Sequence, residues 1–132
     1  MPAFYKIDKE RRIVMSSGSG VLTIEVIIGH QERLLNDPDF DPGYSQLSDF
    51  THVTKVELSS VDIRLAARKN IFLPHSRRAL VVKNDVQYGL ARMFEIHRDL
   101  AGEVGIRVFR TIDEALGWVL SAGSVSEDAS SL

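Results

Sequence analysis

Residues 78–83, RALVVK, form a nearly continuous apolar run. A strand with one wet face alternates apolar and polar side chains, so a run without alternation predicts a strand covered on both faces, as in a parallel sheet. Parallel neighbours cannot be joined by a tight turn. They need crossovers of about a dozen residues or more, usually helical. The rest of the chain is therefore expected to alternate strands with helices.

The pattern on either side of that run meets this demand. FYKID (4–8) and RRIVMSS (11–17), separated by Lys9 and Glu10, read as an antiparallel hairpin, with SGSG (17–20) ending its second strand. Thr23 can cap a helix through IEVIIGHQERLLN, in which Ile24, Ile27, Ile28, Leu34 and Leu35 follow helical spacing and Gln31 interrupts the stripe. VLTIEVII also alternates like a strand, and Gly29 costs a helix roughly 1 kcal/mol relative to Ala, yet the longer helical spacing predicts a helix. Asn36 and two Asp-Pro pairs end it. A strand at SQLSDF (45–50) leads through a polar passage to a helix from Ser60 to Lys69, with Val61, Leu65 and Phe72 turned inward and Pro74 closing the segment.

After the buried run, Asn84 caps a helix whose Val86, Leu90, Met93, Phe94 and His97 mark one side, and GIRVF (105–109) is a further strand. Thr111-Ile112-Asp113-Glu114 is a capping box opening a last helix with Ile112, Ala115, Leu116, Val119 and Leu120 on its buried stripe. The order is β-β-α-β-α-β-α-β-α, an α/β fold with a mostly parallel sheet and an antiparallel N-terminal edge strand. Residues 1–121 make one domain, and 122–132, small and polar without aromatics, are expected to be a disordered tail.

At 132 residues and 44% hydrophobic content the chain can fill one core. Its formal net charge of -2 supplies no global field for nucleic acid or anionic membrane, so neither is an expected partner. The absence of cysteine excludes disulfides and thiolate chemistry, and MPAFYKIDKERR carries charges where a signal peptide needs an apolar core. A cytoplasmic protein without membrane insertion is expected.

The candidate chemistry is sparse. Asp37, Asp39 and Asp41 alternate like calcium ligands, but an EF-hand loop starting at Asp37 needs Gly and Glu where Pro42 and Ser48 stand. The segment reads as a joint between helix and strand. SGSGVLT lacks the GK[ST] of a phosphate loop and the third glycine of a dinucleotide fingerprint. His30, His52, His75 and His97 lie too far apart for a zinc motif, and His97 reads as a partly buried imidazole beside Leu90 and Met93. His75 and Ser76 point apart on an extended chain and make no catalytic pair. Arg77 and Arg78, with Arg92 and Arg98 or Arg64 and Arg68, read as a solvated face with ion pairs such as Arg92 to Glu95. Tyr88, Met93, Phe94 and Trp118 are candidates to line an apolar ligand groove. No catalytic, cofactor or metal residue is assigned.

The phrases YKIDKERRIV, GSGVLTIE, LLNDPDFDPGYSQLSDFTHVT, SRRALVV, YGLARMFE and VFRTIDEALGWV, spread over residues 4–121, resemble the small stand-alone SpoIIAA-like proteins of the bacterial STAS superfamily. The resemblance implies a SpoIIAA/STAS-like fold. In the anti-sigma-factor antagonists of that superfamily a phosphorylatable serine follows an aspartate at the start of the helix after the third strand. Here the matching place reads Glu57-Leu58-Ser59-Ser60-Val61-Asp62, with Leu58 for the aspartate and Val61 for a small residue. Ser59 and Ser60 are thus candidates for a phospho-acceptor or, better supported, a helix cap. The expected function is a non-enzymatic STAS-like module that binds a regulatory protein or a second copy of itself. The alternative is a carrier of a small apolar or lipid-like ligand, and a hydrolase comes third.

Overall fold

The structure, a computed structural model, describes residues 3–68, 71–100 and 105–130. In chain order it contains β1 (Ala3–Asp8), β2 (Ile13–Thr23), α1 (Ile24–Leu35), β3 (Ser45–Glu57), α2 (Ser60–Arg68), β4 (Arg78–Val81), α3 (Asp85–Leu100), β5 (Ile106–Phe109) and α4 (Ile112–Ser130). The strands form one sheet in the order β1-β2-β3-β4-β5. β1 runs antiparallel to β2, from Ala3 opposite Gly18 to Asp8 opposite Ile13, and every later pair is parallel. This is the expected topology with its antiparallel edge strand.

A sheet whose order follows the sequence advances in one direction, so right-handed crossovers place α1, α2 and α3 on the same face. The side chains agree. Leu80, Val82 and Ile106 pack with Ala91 of α3, and Val14 packs with Leu34 of α1. Alternate residues turn the other way, where Ile13, Leu47, Ala79 and Val81 meet Ala115 and Val119 of α4. All four residues of β4 are buried, as a strand sandwiched between helix layers requires. The helix starts are capped as expected: Thr23 Oγ1 accepts from the Val26 N–H at 3.3 Å and Asn84 Oδ1 from the Gln87 N–H at 2.9 Å. Thr111 Oγ1 accepts from the Glu114 N–H at 3.3 Å while donating to the Glu114 carboxylate at 2.9 Å.

Two strands are longer than expected. β2 does not end at SGSG but continues to Thr23, and β3 continues through the polar passage to Glu57, the two extensions pairing from Ser19 with His52 to Thr23 with Glu57. The pairing slips between Ser17 and Ser19 and again between Gly20 and Val21, and Gly20 takes a φ of 68°. At each slip β3 advances one residue more than β2, which is a β-bulge. Each bulge shifts the side-chain alternation by one, so Phe50, Val53 and Val56, three residues apart, all turn toward the helices.

Helix faces also differ from expectation. α2 buries Ile63, Ala66 and Ala67, whereas Val61 and Leu65 are 53% and 48% exposed. Ile63, Ala66 and Ala67 share one helical face, and Val61 and Leu65 lie on another. Of the expected inward residues Phe72 is buried, while Leu35, Val86, Ile112 and Leu120 are exposed. α4 is helical to Ser130 where a disordered tail from 122 was expected. The segment carries no proline, and extending a formed helix adds one hydrogen bond per residue without a new nucleus. The expected helix end at Lys69 and tail residues 131–132 lie outside the described residues.

Candidate functional site

Between the sheet and α1, α2 and α3 lies a cavity of about 160 Å³. Its existence follows from side-chain size. Ser16, Gly18, Ala66 and Ala91 all line it, and these small side chains leave space where larger ones would close the core. The bulged half of β3 contributes Phe50, Val53 and Val56, α1 contributes Val26 and Ile27, and α3 contributes Leu90 and Phe94. The volume is of the order of the roughly 150 Å³ apolar cavity that takes a benzene-sized guest.

A polar band crosses this apolar wall. On the sheet, Ser16, Gln46, Ser48 and Arg78 are buried, with Gln46 beside Arg78 and Ser16 beside Ser48 on adjacent strands. Gln46 Nε2 donates to Ser16 Oγ at 2.9 Å. The Arg78 guanidinium lies over the rings of Phe72, at 5.0 Å, and Phe94, at 5.8 Å, a desolvated cation–π arrangement. Gln87 ties α3 to its surroundings, since its Oε1 accepts from the Lys83 N–H at 2.9 Å and its Nε2 donates to the Val53 carbonyl at 3.1 Å.

His30 and Gln31, adjacent on α1, complete the band and are only 9% and 8% exposed. His30 sits edge-on to the Tyr5 ring, centroids 5.5 Å apart. Burial, reinforced by the Arg33 cation, lowers its pKa to about 4, so the imidazole is neutral at pH 7. His30 Nε2 and Gln31 Oε1 are buried without a hydrogen-bond partner among the described residues. Such groups are costly, roughly 1–3 kcal/mol each, and in native proteins they call for an explanation.

The expected groove residues do not converge. Phe94 lines the cavity, but Tyr88, Met93 and Trp118 do not. Trp118 lies on the α4 side against Phe109, with the Arg77 and Arg107 guanidinium groups 4.9 and 5.7 Å from its ring. Tyr88 lies under Arg110, at 4.7 Å, which in turn pairs with Asp85. Apolar character grouped these residues as groove candidates, yet they belong to two helices on opposite faces of the sheet. Gln31 was visible as the break in the α1 stripe. His30, set among scattered histidines, carried no comparable signal.

The remaining candidates have local roles. Ser59 caps α2 reciprocally with Asp62: Ser59 Oγ accepts from the Asp62 N–H at 3.1 Å, and the Ser59 N–H donates to the Asp62 carboxylate at 3.0 Å. Ser60 is the exposed first residue of the helix. The carboxylates of 37–41 are engaged separately: Asp37 accepts from the Tyr5 hydroxyl at 2.7 Å, Asp39 pairs with Lys9 at 2.7 Å, and Asp41 accepts from the Gly43 N–H at 2.8 Å. Burial and that bond to Asp37 raise the Tyr5 pKa to about 12. Among the described residues no group of three His, Cys, Asp or Glu could hold a metal ion. Ser76 donates to the Pro42 carbonyl at 3.0 Å, tying the loop down, and Arg92 pairs with Glu95. The side chains of Arg68 and Arg98 lie outside the described residues.

A five-stranded sheet with one antiparallel edge, three crossover helices on one face and a fourth on the other defines the SpoIIAA-like α/β fold, and this chain has it. The structural likeness is to an uncharacterized protein of the DUF3478 family, with a SpoIIAA-like fold, from Shewanella loihica PV-4. The TM-score is 0.57 at 19% identity, and the match covers 89% of this chain and 93% of the other. No protein-family model matches the sequence, and no curated protein does either. Among the described residues no helix is long and apolar enough to cross a membrane.

Proposed function

We propose that the protein is a non-enzymatic binding module whose ligand is a small, largely apolar molecule held between the sheet and helices α1–α3. The observation that carries this reading is the cavity itself, walled mostly by aliphatic and aromatic side chains with a few buried polar groups. That is the usual composition of a small-molecule site. Native mass spectrometry of freshly purified protein tests the reading. Retained mass, or one-to-one uptake of an added six-carbon alcohol, supports it; a bare chain that takes up no apolar probe contradicts it.

A second reading, contact with a protein partner or a second copy, is favoured by Val61 and Leu65, exposed four residues apart on α2. Sedimentation at rising concentration, comparing the parent with Leu65→Asp, checks it. Self-association lost in the variant supports this reading, and a monomer throughout removes its homodimer form.

A further inference from the structure

The geometry points to a ligand bearing one uncharged polar end, a hydroxyl, that docks against His30 Nε2 and Gln31 Oε1 while its apolar body fills the space toward Phe50, Val56 and Phe94. This rests on the ligand-binding reading above and adds to it the chemistry of the polar end. The two side chains are more than nine-tenths buried, line the same cavity from consecutive positions of α1, and present atoms with no partner among the described residues. Gln31 Oε1 can only accept a hydrogen bond, and a neutral imidazole nitrogen can donate one. A hydroxyl has both capacities, donating to an amide oxygen and accepting from an imidazole N–H. A carboxylate would set its own negative oxygen against Gln31 Oε1. An ammonium would need His30 Nε2 as an acceptor and would bring a second charge near Arg33, which already disfavours positive charge on His30. An alkane would leave both groups unanswered.

The experiment compares 1-hexanol, hexanoate and n-hexane, each titrated into the full chain and into Gln31→Leu and His30→Phe, with binding followed by ¹H–¹⁵N NMR. Both replacements keep side-chain bulk, and thermal melts establish that each variant is folded. The expected result is that 1-hexanol loses about tenfold or more in affinity in either variant, the loss of one buried hydrogen bond, while n-hexane is unchanged or binds better. In the parent, hexanoate binds more weakly than the alcohol. Equal changes for alcohol and alkane overturn the inference and leave the ligand-binding reading standing. So does a preference for hexanoate that disappears in Arg78→Met, because the polar end would then lie on β4. Failure of all three probes to bind overturns both together.

Discussion

Lowering the pH should destabilise this fold through His30, in a window set by burial. The unfolded chain protonates this imidazole near the ordinary value of 6.5, whereas the folded protein does so only near about 4. A histidine whose folded pKa is depressed contributes stability that is fully present above 6.5 and is lost as the pH falls toward 4. Integrated over that difference, stability falls by about 2 kcal/mol between pH 7 and pH 5 and by about 3 kcal/mol at pH 4. Asp8 and Asp37 also have lowered pKa values, through hydrogen bonds from Arg11 and Tyr5 respectively, but their contribution is lost only below the ordinary carboxylate value of 3.8. The two windows are therefore separable. Urea unfolding of the parent and of His30→Phe at pH 7, 6 and 5 measures the effect, since phenylalanine keeps the ring against Tyr5 and cannot titrate. The parent should lose about 2 kcal/mol more than the variant over this range. Parallel losses in the two proteins would mean that His30 is not the group titrating in this window.

Three further outcomes are expected. Gln31→Leu should stabilise the ligand-free protein by about 1–2 kcal/mol in urea unfolding, because it removes an unanswered buried carbonyl; a destabilised variant would mean the amide has a partner. Ser59→Ala should cost about 1 kcal/mol by thermal denaturation through loss of the α2 cap, with Ser60→Ala within about 0.5 kcal/mol of the parent, and equal losses would contradict the assignment of the cap. A Cβ at Gly105 would lie 2.4 Å from the Ser76 carbonyl oxygen, whereas at Gly117 on α4 it meets nothing within 4 Å. Gly105→Ala should therefore destabilise by about 1–3 kcal/mol and Gly117→Ala should stabilise by up to about 1 kcal/mol, with calorimetric melting temperatures moving in opposite directions.

Where local chemistry and tertiary packing demand the same thing, the residues announced the structure. The unbroken run at Ala79–Val82 required cover on both faces, and Thr23, Asn84 and Thr111 marked three helix starts by the bonds their side chains make. The extended halves of β2 and β3 were hidden because bulges give Phe50, Val53 and Val56 a spacing of three, which breaks the alternation that marks a strand. α2 was turned the wrong way because bulk suggested Val61 and Leu65, while the buried face carries Ile63 with the small Ala66 and Ala67. The cavity was least legible of all. It depends on which small residues, such as Gly18 and Ala91, come to face one another from distant segments, and no local pattern encodes that. Gln31 on an otherwise apolar stripe and Phe94 among the groove candidates were the advance signs of it.

A binding site between the sheet and α1–α3 and a mere packing defect differ in what they take up and in how they respond to filling. Ala66 and Ala91 both line the space, so Ala66→Leu and Ala91→Leu would fill it from within, and a calorimetric titration of 1-hexanol into the parent and these two variants tells the two apart. A binding site predicts one-to-one, saturable uptake by the parent and none by variants that melt at or above the parent's temperature, since added methylenes fill a void that was costing stability. Uptake that is unsaturable, or that persists unchanged when the cavity is filled, would contradict it.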